Sequence, residues 1–262
     1  MVSTVKAATF VKALRHGRTC PCLMLCQDDA EKPVEVVVKL RTGNECTCTG
    51  LICELVASLL ARDLDLPAPE PFLVTVDNGF HTGISDTGLA DRFKTSAGTN
   101  FGCRYLGPAY VSWPQLRSIP DALQQDAAEI LAFDLMIQNP DRRLDKPNLL
   151  RKGDELAIFD HEMAFSFLYA LAPDEYPWDG KGMGFAKDHV FYGGLRGKER
   201  SWDRMRGALA AIDDARLASY VDAIPQEWRN GARDVVERIQ DYLQLARSNN
   251  AVLFQKITEV LR

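Results

Sequence analysis

Up to about residue 110, short apolar runs alternate with polar, glycine-bearing segments. Beyond it, apolar residues recur at intervals of three and four. The run Cys22–Cys26 (CLMLC) follows Pro21 and precedes the turn-like pair Asp28-Asp29. The run Glu35–Leu40 (EVVVKL) is β-branched and carries a lysine near its end. The two predict a hairpin turning around Asp28 to Pro33. Residues 41–50 (RTGNECTCTG) read as a loop. Ile52, Leu55, Val56, Leu59, Leu60 and Leu64 then predict a helix over 51–64, stopped by Pro67, with Glu54 in its first turn. Phe72–Val76 predicts a strand, 77–100 a long loop with little regular structure, and Phe101–Tyr110 a returning strand. Pro120-Asp121 predicts a helix start, and the stripe Leu123, Ala127, Ile130, Leu131, Leu135, Met136 carries that helix to about Gln138, ahead of Pro140. Two short strands, Leu149-Leu150 and Leu156–Phe159, flank the turn Lys152-Gly153-Asp154. The C-terminal part is loop-rich over 172–200 and then helical. Its clearest stripe is Trp228, Ala232, Val235, Val236, Ile239, Tyr242, Leu243 and Ala246. A strand-rich part followed by a helix-rich part, changing near residue 111, predicts an α+β fold rather than βαβ alternation.

Composition narrows the function. The 262 residues are 46% hydrophobic and 26% charged, with net charge −5, an ordinary globular balance. A basic excess or stripe, the usual mark of nucleic-acid binders, is lacking, so direct nucleic-acid binding is not expected. The mildly basic stretch Lys181–Arg206 is interrupted by Asp188, Glu199 and Asp203 and reads as solvated surface. No run approaches the roughly 18 apolar residues of a membrane helix, and the first residues lack a secretory pattern, so a cytoplasmic location is expected. Seven cysteines, an odd number, predict reduced thiols. A zinc hairpin from Cys20, Cys22 and Cys26 with Cys46, Cys48 and Cys53 is the competing reading, although its one-residue gaps are tighter than usual zinc spacings.

Four chemical features occur in order: Lys39 at the end of a β-branched strand, Glu54 on the next helix, the loop NPDRRLDKPN over 139–148, and Asp160-His161-Glu162 after an apolar strand. Phosphoryl transfer from ATP uses these residue types. A lysine held by a glutamate neutralises the non-transferred phosphates, an asparagine and an aspartate hold magnesium, and another aspartate accepts the hydrogen bond of the attacking hydroxyl. Hard oxygen donors suit magnesium. Taken singly, each feature also has an ordinary structural explanation as surface charge, helix-end decoration or turn.

The stretches GRTCPCLML, EVVVKL, ICELVASLLARDLDLPAP, ILAFDLMIQNPDRRLDKPNLL and LAIFDHEMAF together resemble the HipA-like kinase family, within the wider protein-kinase-like and phosphatidylinositol-kinase-like superfamily. The resemblance covers about residues 10–195. It implies a two-lobed kinase-like fold, with a strand-rich N-lobe over 1–110 and a mainly helical C-lobe over 111–262. It implies Lys39 on the ATP phosphates with Glu54 paired to it, Asp141 as catalytic aspartate, and Asn148 and Asp160 as magnesium ligands. The phosphate-covering loop falls on His16, Gly17, Arg18 and Thr19, and the adenine near 101–110. Three departures stand out. Asp141 and Asn148 lie two positions further apart than in the commoner kinase pattern, which leaves Asp145 as a rival base. The phosphate loop has one glycine, and Cys53 replaces the usual asparagine before the glutamate.

Several assignments stay open at the level of sequence. Arg142 and Arg143 either meet a phosphate or pair with Asp145 or Glu162. His161 reads as orienting the metal aspartate rather than as a base, and His189 as a packing histidine. Trp113, Trp178, Trp202 and Trp228 read as packing aromatics. The acceptor is expected to be a protein serine or threonine. A small cationic acceptor facing Asp174, Glu175, Asp179 and Asp188, or a non-catalytic nucleotide-binding module, are the alternatives. A regulatory protein partner is left open.

Overall fold

The computed structural model describes residues 2–14, 20–42, 47–114, 118–170, 176 and 182–262. The fold is mixed α/β. Strands β1 (Ser3–Ala13), β2 (Cys22–Gln27), β3 (Pro33–Lys39), β4 (Pro71–Val76) and β5 (Gly98–Arg104) close a barrel in the order β1-β2-β3-β5-β4. All neighbours are antiparallel except β1 and β4, which run parallel. The expected β2–β3 hairpin forms, with Cys26 opposite Val34. Its turn is held by Asp28, whose carboxylate accepts from the Ala30 and Lys32 amides at 2.9 and 2.8 Å. Val5, Cys22, Met24, Cys26, Val36, Val38, Phe72 and Val74 belong to one buried apolar cluster that fills the barrel. Because side chains alternate along a strand, Val36 and Val38 share one face of β3 while Val37 and Lys39 take the other.

Burial pushes the thiols of Cys22 and Cys26 up to about 11 and about 12. Among the described residues, the side chains close enough together to hold a metal are Glu54, Asp160 and Glu162, and no cysteine belongs to that group. Cys46, from the competing zinc reading, lies outside the described residues.

Helix α1 (Cys48–Asp63) starts three residues before the expected position. Thr47 caps it, accepting from the Gly50 amide at 3.0 Å. Glu54 therefore lies in the second turn, not the first. The expected loop over 77–100 is largely structured. It holds a 3-10 turn at Phe80–Gly83 and helix α2 (Thr87–Thr95), before β5 begins. Asp86 caps α2 by accepting from the Leu89 amide at 2.8 Å. Phe93 is buried among Phe10 and Phe80, with ring centroids 5.8 and 5.1 Å away. Polar composition concealed a short helix that rests on one cap and one aromatic. The strand expected to reach Tyr110 ends at Arg104, and Gly107 follows with φ of +86°.

Helix α3 (Gln124–Met136) follows a 3-10 turn at Asp121–Leu123. It is buried on all sides from Ala127 onward, Glu129 and Asp134 included, rather than along one stripe. Three strands, β6 (Val111–Ser112), β7 (Leu149–Lys152) and β8 (Glu155–Ile158), form a small antiparallel sheet. The remainder comprises α4 (Tyr192–Leu195), α5 (Asp203–Ala211), α6 (Asp214–Asp222), α7 (Gln226–Arg229), α8 (Arg233–Ser248) and α9 (Asn250–Val260). The stripe from Trp228 to Ala246 is buried as expected but belongs to two helices, because the chain breaks between α7 and α8. Trp113, Trp202 and Trp228 are buried, as their reading as packing aromatics requires. Trp178 lies outside the described residues. α1, α3, α8 and α9 share one large apolar cluster. Among the described residues, no helix is long and apolar enough to cross a membrane.

Candidate active site

Lys39 leaves the end of β3 on the face away from the barrel interior and meets α1. Its ammonium donates to Glu54 Oε2 at 2.6 Å, to Asp160 Oδ1 at 2.5 Å and to Glu162 Oε2 at 3.2 Å. Lys39 is 8% exposed and Glu54 3%. Burial alone draws a lysine's pKa down, but the carboxylates of Glu54, Asp160 and Glu162 outweigh it and hold Lys39 well above the usual range. Burial likewise works against the ionised forms of Glu54 and Asp160, and Lys39 overrides it, so both stay below the usual carboxylate range. Glu162 goes the other way. Burial and the charges of Asp160 and Glu54 raise it despite Lys39. The ligand oxygens of Glu54, Asp160 and Glu162 lie within 4.8 Å of one another, and the Lys39 ammonium is the cation they share.

A second cation joins the other half of the site. Lys146 Nζ lies 2.5 Å from Asp141 Oδ2 and 3.3 Å from Asp160 Oδ2. Asn148 Nδ2 donates to the Asp141 carboxylate at 3.2 Å and to its carbonyl at 3.3 Å. That leaves the oxygen of the same amide as the candidate metal donor. Asp141, Asn148 and Asp160 are thus joined through Lys146 and one amide, and Asp160 is the hinge to Lys39. The donor set fits magnesium. It consists of hard oxygens, and Lys146 shows that the space between Asp141 and Asp160 favours positive charge.

The loop that supplies these groups is tied down from beneath. Arg142 has no exposed surface, and neither has Asp134 of α3. Arg142 Nε donates to Asp134 Oδ2 at 2.6 Å. Asp134 also accepts from Asn139 Nδ2 at 2.8 Å and pairs with His189 Nε2 at 3.0 Å. Burial disfavours its ionised form, but Arg142 and His189 more than compensate and lower its pKa. Removing one member of such a buried pair costs about 3–5 kcal/mol, because a charge is stranded.

This placement corrects two expectations. Arg142 is fully buried and pairs with neither Asp145 nor Glu162; its partner is Asp134. Arg143 does pair with Asp145, at 3.4 Å, and the Asp145 carboxylate is exposed. His161 serves Glu54 rather than Asp160. Its backbone amide donates to Glu54 Oε2 at 3.0 Å, and its ring is buried edge-on to Phe133, with Nδ1 3.6 Å from Glu54 Oε1. His189 is buried, as a packing histidine would be, but it also pairs with Asp134. Sequence reasoning missed Asp134 and Lys146, and it named Glu162 as an arginine partner rather than a partner of Lys39. An acid inside the apolar run of α3 and a lysine between two site residues were the available signals. Gly17, Arg18 and Thr19, with His16, lie outside the described residues, as do Asp174, Glu175 and Asp179.

The sequence model of the HipA-like kinases matches residues 8–253. None of the curated proteins matches the chain. Among solved structures, the chain is similar to a Helicobacter pylori proinflammatory kinase, CtkA, with a TM-score of 0.55 at 14% identity. The match covers 99% of this chain and 100% of that one. At that identity the likeness speaks for the fold alone.

Proposed function

The chain belongs to the HipA-like kinase family, and we propose that it is an ATP- and magnesium-dependent kinase that phosphorylates serine or threonine on a protein, with Asp141 as catalytic aspartate. The barrel side, over 1–110, forms the nucleotide-phosphate lobe, and 111–262 forms the lobe that carries the catalytic loop. One observation carries this reading. The Lys39 ammonium meets Glu54, 15 positions away, and Asp160, 121 positions away, within 2.6 Å.

In this reading Lys39 neutralises the non-transferred phosphates, and Glu54, fixed by the His161 amide, keeps it in place. Asn148 and Asp160 would hold magnesium, which supplies charge compensation to the phosphates when bound. Asp141 accepts the hydrogen bond of the acceptor hydroxyl and aims its oxygen. Lys146, beside Asp141, compensates charge on the transferred group. Catalysis rests on positioning and preorganised charge. The phosphate-covering role of Gly17, Arg18 and Thr19 and the adenine position near 101–110 belong to the same reading.

The test is transfer of label from γ-labelled ATP with magnesium to the chain itself or to lysate proteins, with Asp141→Ala as control. Wild type is expected to transfer label and the variant to lose at least about a hundredfold in rate. Bound ATP without any transfer would overturn the catalytic reading, and label confined to metabolites would overturn the protein acceptor.

A further inference from the structure

Two site residues have unusual backbones. Asn148 has φ of +43° and Asp160 has φ of +61°. Both lie in the left-handed region that favours glycine, and a non-glycine residue stays there only when its surroundings hold it. The peptide that follows Asn148 and the peptide that precedes Asp160 present their carbonyls to the same side chain. Arg142 Nη1 donates to the Asn148 carbonyl and, at 3.2 Å, to the Phe159 carbonyl. One planar guanidinium therefore grips the main chain at both proposed metal ligands. Asp134 orients that guanidinium through a two-point contact, Nε to Oδ2 at 2.6 Å and Nη2 to Oδ1 at 3.3 Å.

The same carboxylate reaches Asp141. Asn139 donates to Asp134 at 2.8 Å, and its own oxygen accepts from the Asp141 amide at 3.3 Å. His189 closes the remaining side. Its Nε2 faces Asp134, its Nδ1 accepts from the Phe191 amide at 3.2 Å, and the neighbouring Val190 amide donates to the Arg142 carbonyl at 3.0 Å. A buried ion pair that served stability alone would have no need to reach the backbone of all three site residues.

We propose that Arg142, oriented by Asp134 and His189, is the positioning residue that holds Asn148 and Asp160 in the left-handed conformations from which they bind magnesium. The proposal rests on the reading that these two residues hold the metal. Arg142 touches no reacting group and acts through the backbone. A lysine at 142 keeps the charge beside Asp134 but lacks the fork that spans two carbonyls. Supporting groups behind metal ligands are typically worth about tenfold to a hundredfold in metal affinity.

The test measures the melting temperature of the full chain with a non-hydrolysable ATP analogue, first with chelator and then along a magnesium titration. For Arg142→Lys the half-saturating magnesium concentration is expected to rise about tenfold to a hundredfold. The shift produced by the analogue without metal, which depends on Lys39 and Glu54, is expected to stay at the wild-type value. The double variant Asp134→Asn/Arg142→Gln removes both buried charges together, and with them the fork that spans the two carbonyls. It gives the same comparison if Arg142→Lys does not fold. A folded variant with unchanged magnesium dependence would overturn the positioning role and leave the kinase reading intact. If magnesium does not alter the analogue's effect on wild type, the assignment of Asn148 and Asp160 as metal holders fails, and the positioning role with it.

Discussion

Lys39 shows how much one position depends on its surroundings. An ammonium that is 8% exposed is costly to bury, and the cost is offset only because Glu54, Asp160 and Glu162 converge on it. Asp134 poses the same problem with the opposite sign and solves it with Arg142, His189 and Asn139. His189 turns this into a prediction about pH. Burial pulls its pKa below the usual 6.5, although Asp134 pulls it upward and Arg142 opposes that pull. A group with a lowered folded pKa binds more protons when unfolded, so its contribution to stability is present above about pH 6.5 and lost as the pH falls through the folded value. The melting temperature of wild type is therefore expected to fall between pH 7 and 5. His189→Gln is expected to melt lower at pH 7 but to show a flatter profile over that range, as followed by calorimetry in the absence of nucleotide. Parallel profiles would show that another group governs this window.

At the scale of elements, the barrel is closed by tight contact rather than by regular strands alone. Gly102 of β5 lies where a Cβ would come 2.5 Å from Val36 Cγ1 and 2.7 Å from Val74 Cγ2. Both neighbours are β-branched and fully buried, and such side chains have little rotamer freedom with which to yield. Gly102→Ala is expected to destabilise the chain by about 1–3 kcal/mol, the usual cost of overpacking, read as a lower urea midpoint with an unchanged slope. α1 is the other element that decides the site. Its apolar spacing was readable, whereas its start depended on the Thr47 cap, and that shift moved Glu54 into the second turn. α2 was not readable, because nine residues with one buried phenylalanine carry too little periodicity. Tertiary contact with Phe10 and Phe80 supplies what local propensity lacks.

Across the whole molecule, the barrel and the helices are joined by α7. Glu227 pairs with Arg41, just beyond β3, and accepts from the Thr99 amide at 2.8 Å. Trp228 Nε1 donates to the Thr99 carbonyl at 3.1 Å. Lys39 is two positions from Arg41, so this junction sits next to the lysine that binds Glu54 and Asp160. Glu227→Ala is expected to cost under about 1 kcal/mol globally, because the pair is part-exposed. Amide exchange around Thr99 and Arg41 is expected to accelerate, as measured by hydrogen exchange with mass spectrometry; unchanged exchange there would show that Trp228 alone holds the junction. The amino-acid sequence by itself determined the change from a strand-rich to a helix-rich part, the β2–β3 hairpin, the apolar faces of α1 and α8, and the residue types and sequence order of Lys39, Glu54, Asp141, Asn148 and Asp160. These follow from local periodicity and short motifs, which depend on near neighbours in the chain. Only the tertiary structure decided which charges meet: Arg142 with Asp134, Lys146 between Asp141 and Asp160, Glu162 on Lys39, and His161 behind Glu54. Such pairings join residues brought together by barrel closure and by packing around α3, and side-chain identity alone does not record which partner each burial site supplies.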